Sequence, residues 1–389
     1  MADLIWRNAL LLGKKETTEG TANAPGAGDA ILCTGLQPTL QRDFHERTYH
    51  GGFGTRAGVI GAQTGAGLSF QTEIKGNGSN NTPEIDELLE SVFGQVASGT
   101  GDTTVGNGST TTSVVVASST NFTAGNLVMI ETSSTSDEYE VAMITDVPNG
   151  TTLTVSPALS FTPANGAAVK EMRTYQLLYS GHPSMTFDVF YSVAGGGADQ
   201  YDRFVGCHGN LSFASPGAGQ VPMLTWDWQA WNWTQATNGT RPTPTYDTAT
   251  PQSALGSKFK VDGTLVDVFD VNWSLNNEIA RKLSQNSTLG VYGTPIVNHK
   301  PSGSFKIHPA HTSIAQFTGW TAGTEVSLIQ QLGKSLNGTV AWYCPKAQRS
   351  SVGRGDDNGV QALEINFNAN MQDDGLATAV DAAIYLAVG

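Results

Sequence analysis

Apolar and polar residues alternate with a period of two along most of this chain, the spacing that sends successive side chains to opposite faces of a β-strand. Met185, Phe187, Val189, Tyr191 and Val193 alternate with smaller or polar residues, and Leu363, Ile365, Phe367, Ala369 and Met371 alternate with Glu364, Asn366, Asn368 and Asn370. Leu68, Phe70, Thr72 and Ile74 face away from Ser69, Gln71, Glu73 and Lys75, and Phe305 and Ile307 repeat the theme beside Lys306 and His308. Each run reads as a half-buried strand, and Gly-, Asn- and Pro-rich turns divide them, so the expected class is mainly β.

Helical signals are few. In TPEIDELLESVFG, Thr82 can cap, Pro83 suits a first turn, and Ile85, Leu88, Leu89 and Val92 form one apolar stripe. A weaker candidate spans 311–320, with Ile314, Phe317 and Trp320 on one side. Two low-complexity stretches, 98–113 and 234–253, read as linkers.

The two halves resemble distant copies of one unit. Leu40 and Phe70 are as far apart as Leu275 and Phe305, and the same offset of 235 carries Gly58 onto Gly293 and Ser69 onto Ser304. A helix candidate follows each, then a strand (185–191 against 339–344), an Asp-containing turn, and NLSFA at 210–214 against INFNA at 365–369. The first copy carries 81 extra residues before its last strand, and 99–172 holds short strands with PNG and SPA turns of its own. The expected organisation is 1–98 and 173–235 as one domain interrupted by a small all-β insertion at 99–172, a linker at 236–254, and a second domain at 255–389.

Composition narrows the function classes. Among 389 residues only 14% are charged, and 21 Lys plus Arg against 34 Asp plus Glu leave a net charge of -13, which argues against a broad basic surface gripping nucleic-acid phosphates. Cys33, Cys207 and Cys344 are too far apart for a CxxC motif and read as buried thiols. The start of the chain lacks the pattern of a secretory signal and no run of about 18 apolar residues occurs, so the expectation is a soluble product with no membrane span. His308 and His311 could share a helix face without a third ligand, and Cys207 and His208 point to opposite faces of a strand. No GxSxG, HExxH, Walker or dinucleotide motif is present, so neither catalysis nor a cofactor or metal is expected. The tryptophans of WDWQAWNW at 226–233 could stack on sugars, or form a bulged strand in a core or subunit interface. The alternatives to a structural role are therefore a carbohydrate-binding β-rich surface protein and a hydrolase with an unrecognised acid pair.

The segment GKKETTEGTANAPGAGDAILCTG at 13–35, the loop after it, GLSFQTEIKGNG and the PEIDELLESVFG helix resemble the start of a bacteriophage tail tube protein, and GSFKIHP, WYCPKAQ and EINFNANMQDDG resemble recurring parts of that family. The resemblance implies two tandem β-sandwich or barrel domains, each with a flanking helix. It also implies trimeric, pseudo-sixfold rings stacked into a virion tail tube, with hexameric rings as the alternative. Its partners would be the tape measure protein and phage DNA in the lumen and other tail proteins at the tube ends. On that footing Gln71, Glu73, Asn210, Ser212, Glu364, Asn366, Asn368 and Asn370 are candidate lumen-facing residues. The N-terminal arm and the 41–67 segment, with Lys15, Glu16, Phe44, Tyr49, Phe53 and Arg56, are candidate contacts between subunits or rings. The insertion is expected on the outside of the tube as an independent unit.

Overall fold

The computed structural model describes residues 4–47, 56–61, 65–76, 82–134, 138–193, 199–215, 217, 219–309, 315–371 and 382–389. The first half opens with β1 (Leu4–Lys15), β2 (Ala30–Ile31), β3 (Thr34–Thr39), β4 (Phe44–Arg47), β5 (Arg56–Ile60), β6 (Gly67–Glu73), helix α1 (Asp86–Phe93) and β7 (Gly94–Ala97). An inserted unit contributes β8 (Asp102–Thr104), β9 (Ser113–Val115), β10 (Leu127–Glu131), β11 (Tyr139–Asn149), β12 (Thr152–Ser156) and β13 (Ala168–Glu171). The half resumes with β14 (Arg173–Leu177), β15 (Met185–Val193), β16 (Asp199–Ser215), β17 (Met223–Gln229) and β18 (Asn232–Gly239). The second half begins with β19 (Lys258–Val261), β20 (Thr264–Leu265), β21 (Val268–Ser274), β22 (Asn277–Ile279), β23 (Ile296–His299) and β24 (Ser302–Ile307). Helix α2 (Ala315–Thr321), β25 (Glu325–Leu332), β26 (Val340–Asp357), β27 (Val360–Asn370) and β28 (Tyr385–Val388) complete it. The fold is mainly β, as the period-two alternation predicts.

Both halves use one order of antiparallel neighbours. The first runs β2, β1, β15, β16, β17, β6, β3. The second runs β20, β19, β25, β26, β27, β24, β21. Even the register repeats, since Thr39 opposes Gly67 as Ser274 opposes Ser302. Two sequence correspondences are corrected: 185–191 lies in β15, whose counterpart is β25 and not the 339–344 stretch of β26, and NLSFA lies in β16, whose counterpart is β26, while the counterpart of INFNA in β27 is the tryptophan strand β17. Alternating strands look alike in sequence, and only their neighbours distinguish them.

Each half is a two-layer sandwich around the long strands β16 and β26, which pass from one layer to the other. The first part of β16 lies between β15 and β18, and its last part between β17 and β21. Between the layers, Phe187 meets Trp228 edge-on at 4.9 Å and Phe70 edge-on at 6.1 Å, and within one layer Phe70 stacks on its strand partner Trp226 at 6.2 Å. Trp226 and Trp228 are buried; after Gln229 the chain changes layer, which accounts for the phase shift before Trp231 and Trp233. Cys207 and Cys344 lie in the same core, where burial pushes both thiols up. Helix α1 begins at Asp86, later than Thr82 suggested, because the Asp86 carboxylate accepts from Arg173 Nε (2.6 Å), Arg173 Nη2 (2.7 Å) and Tyr175 Oη (2.5 Å). Gly94, with φ 93°, ends the helix in the left-handed region open to glycine.

The insertion is a six-stranded sheet with its own core, including Val114, Ile130, Ile144, Leu153 and Val169. It is not tethered by a linker at 98–113: that stretch supplies β8 and the start of β9, and the Glu171 carboxylate fixes it by accepting from the Thr100 and Gly101 amides at 3.1 and 3.2 Å. Leu127, Met129, Val141 and Met143 pack against Ile329, Ala341, Tyr343 and Tyr385 of the second half. Lys260 and Glu140 form a buried ion pair in the same region. The insertion is thus docked on its own chain rather than independent. The boundary expected at 235 falls inside β18, and β28 stitches the halves together between β26 and β14.

Candidate functional site

The last four strands of each order, β16-β17-β6-β3 and β26-β27-β24-β21, form four-stranded units that join where β16 pairs with β21. Ser212 opposes Ser274 and Phe213 opposes Trp273, so the run across the chain is eight strands, β3-β6-β17-β16-β21-β24-β27-β26. The core-side face carries Leu68, Phe70, Leu211, Phe213, Trp273, Phe305, Ile365 and Phe367, all buried. The other face is polar, because each of these strands alternates strictly.

On that polar face a transverse row can be followed strand by strand: Thr34, Gln71, Thr225, Ser212, Ser274, Ser302, Asn368 and Gln348 are successive partners. A second row runs Glu73, Met223, Ala214, Asn272, Ser304, Asn366, Ser351. Hydrogen bonds link neighbours along the rows: Gln71 Nε2 donates to Thr225 Oγ1 (3.2 Å), Ser212 Oγ to Ser274 Oγ (3.0 Å), and Asn366 Nδ2 to Ser351 Oγ (2.8 Å). The groups of these bonded pairs hold one another in place. Carboxylates at Glu73, Asp227, Asp270 and Glu364 stand on it, and Lys306 is tied to Asp270 at 3.0 Å, a contact that raises its pKa.

All eight residues expected to share a lumen, Gln71, Glu73, Asn210, Ser212, Glu364, Asn366, Asn368 and Asn370, lie on this one face. Sequence reading missed Thr225 and Asp227 beside them, although the alternation of Trp226 and Trp228 already put both opposite the core. It also missed Asn272, Ser274 and Ser302, which the repeat brings to the same rows.

The expected contact residues fare differently. Glu16 is buried inside the chain and accepts from Gly20 N (2.8 Å), Ser184 Oγ (2.6 Å), Thr186 Oγ1 (2.7 Å) and Gly206 N (2.8 Å). Lys15 ends β1, a strand paired on both sides, and bonds Glu90 at 2.7 Å. Glu16 is corrected from an assembly contact to an internal one, Lys15 keeps a partly exposed side chain, and the N-terminal segment is a sheet strand, not an arm. Phe44 is 63% exposed on the hairpin formed by β4 and β5. The backbone of Arg56 pairs with Arg47 in that hairpin, and Tyr49 and Phe53 lie outside the described residues. His308 bonds Asp357 at 2.8 Å; His311 also lies outside them.

No protein-family model matches the chain, and no curated protein is similar to it. None of the described helices is long and apolar enough to cross a membrane.

Proposed function

We propose that this chain is the subunit of a phage tail tube, a structural protein whose copies form rings that stack into a hollow conduit for DNA ejected into a host. The observation that carries the reading is the eight-stranded sheet with one polar, carboxylate-bearing face, built from two equal four-stranded units and ending at β3 and at the last part of β26 in edges that no further described strand pairs. An open sheet edge is a template for further pairing, and closing such a sheet on itself abolishes the edge. Three chains would bring six such units to a pseudo-sixfold ring, and the polar face would then turn inward.

Such a lumen suits passage of DNA. Phosphates are held by Lys and Arg through counterion release, and a wall of amides, hydroxyls and carboxylates gives them little to bind. The tape measure protein would occupy the same lumen before ejection, other tail proteins would cap the tube ends, and the assembled protein would reside in the virion. The carbohydrate-binding alternative loses its support, because Trp226 and Trp228 are core residues at 0% and 1% exposure. Electron microscopy of the purified protein tests the proposal: stacked rings of three chains are expected, six chains per ring would replace the trimer, and dispersed monomers at all concentrations would overturn the reading.

A further inference from the structure

The junction between the two halves of the chain has no counterpart within the chain at the two sheet ends, and the repeat says what belongs there. Strand β21 pairs with β24 on one side and β16 on the other, whereas among the described residues its counterpart β3 pairs with β6 alone. Likewise the last part of β16 is flanked on both sides, whereas among the described residues the last part of β26 pairs with β27 alone. Burial records the difference. Leu275 is 0% exposed and its amide donates to the Leu211 carbonyl at 3.0 Å, while Leu40 at the equivalent position is 41% exposed.

We infer that a second copy of this chain places its β3 against the last part of β26, repeating the β16 to β21 junction residue for residue. This rests on the ring reading and deepens it by naming the contact. Carrying Ser212 opposite Ser274 through the two strand orders puts Gly353 opposite Thr39, Arg354 opposite Pro38, Gly355 opposite Gln37 and Asp356 opposite Leu36. The Leu275 bond fixes which groups face outward: in an antiparallel ladder alternate residues bond to alternate sides, so Leu36, Pro38 and Leu40 on one strand, and Val352, Arg354 and Asp356 on the other, point at the neighbour. Pro38 has no N–H to offer on that side, so the contact between copies has one ladder bond fewer than the β16 to β21 junction, where Trp273 stands, while its pairing with β6 loses nothing. The chemistry also differs in the direction expected of a contact made after folding. Inside the chain Phe213 stacks on Trp273 at 5.5 Å, and between copies the same positions are Arg354 and Pro38.

The hairpins follow the same logic. The one formed by β22 and β23 crosses onto the first half, where Asn277 Nδ2 donates to the Val92 and Gly209 carbonyls at 3.0 Å, Trp231 Nε1 donates to Val291 O at 2.9 Å, and Thr294 Oγ1 to Gly206 O at 2.7 Å. The hairpin of β4 and β5 holds the same place in the first half and leaves Phe44, Val59 and Ile60 at 63%, 52% and 66% exposure. The docked hairpin reaches the last turn of α1 through the Asn277 to Val92 bond, and α2, the counterpart helix, leaves Trp320 39% exposed. The free hairpin of one copy thus lies over α2 of the next, which makes it a clamp within a ring.

Paired cysteines test the register. Gln37 and Gly355 correspond to a non-hydrogen-bonded pair, the closer of the two antiparallel spacings and the one suited to a disulfide. The double variant Gln37→Cys with Gly355→Cys, oxidised after assembly, is expected to give linked dimers and trimers on a non-reducing gel, and Gln37→Cys with Gly353→Cys, two residues out of register, to give none. Arg354→Pro removes an outward amide and leaves the β27 ladder intact but also takes the guanidinium off the Phe317 ring at 5.1 Å, so loss of rings is expected for Arg354→Pro and their retention for Arg354→Ala, which gives up the same ring contact. Rings by electron microscopy without the first cross-link, or rings retained by Arg354→Pro, would overturn the inference and leave the ring reading standing; wild-type monomers would remove both.

Discussion

Glu16 shows how a single side chain can organise a junction. Its carboxylate is the common acceptor for two backbone amides and two hydroxyls drawn from three separated segments. Replacing it by Ala leaves the Gly206 amide buried without that partner, and since unsatisfied buried groups cost roughly 1–3 kcal/mol each, Glu16→Ala should lower stability by about 3 kcal/mol. Urea unfolding would measure this, and a loss under about 0.5 kcal/mol would show that water replaces the carboxylate. The His299 ring belongs to the docked hairpin, at the end of β23, and its pKa is lowered to about 4 by burial and by the neighbouring His182, whose own pKa is also lowered. Asn277 uses its amide as a donor to two carbonyls, so its Oδ1 accepts from His299 Nδ1 at 2.8 Å. A histidine with a depressed folded pKa contributes full stability above its unfolded value near 6.5, and loses it as pH falls through the interval down to the folded value. The melting temperature should therefore drop between pH 7 and pH 5, and His299→Gln should flatten that slope; an identical slope would locate the titration elsewhere.

At the scale of elements, the insertion is the part whose role the structure changes most. Its sheet holds its own core, yet its second apolar face closes over β25, β26 and β28. Glu140 there accepts from Lys260 and from Ser160, and these contacts hold its carboxyl below the usual range although burial alone would raise it. Deleting residues 100–170 behind a short Gly/Ser bridge would uncover Ile329, Tyr343 and Tyr385 and leave Lys260 unpaired. The shortened protein should therefore be less soluble and melt earlier than the full chain, since each large apolar side chain left uncovered forfeits roughly 1.5–3 kcal/mol of burial. Equal solubility and melting temperature would show that the docked face adds nothing. Comparison of β3 with β21 makes the complementary point: one sequence pattern, repeated, is a central strand in one copy and an edge in the other, because only one of them finds a neighbour in its own chain.

For the whole molecule, the proposed conduit makes charge on the polar face a kinetic variable. Glu73 and Glu364 stand on that face on strands from different halves. Changing both to Lys should leave ring assembly intact, since neither lies at the inferred junction, and should slow DNA ejection at low salt, with the deficit shrinking as salt rises because added cations bind phosphates by counterion release. Ejection rates with no salt-dependent difference from wild type would place this face away from the DNA.

The alternation of residues was enough to establish the β class, the internal repeat, and the set of polar side chains from Gln71 to Asn370 that shares one face, because a period of two fixes which side of a strand each residue takes. The same alternation could not say which strand neighbours which, so NLSFA was matched to the wrong copy, and it could not distinguish the β-branched stretch at 98–113 from a linker. Nor could it place Glu16, whose partners come from residues 20, 184, 186 and 206. The pairing of β16 with β21, the docking of the insertion and the two open edges were decided by tertiary structure alone, since each depends on which distant segment supplies the next row of backbone donors and acceptors, and that choice leaves no local mark in the chain.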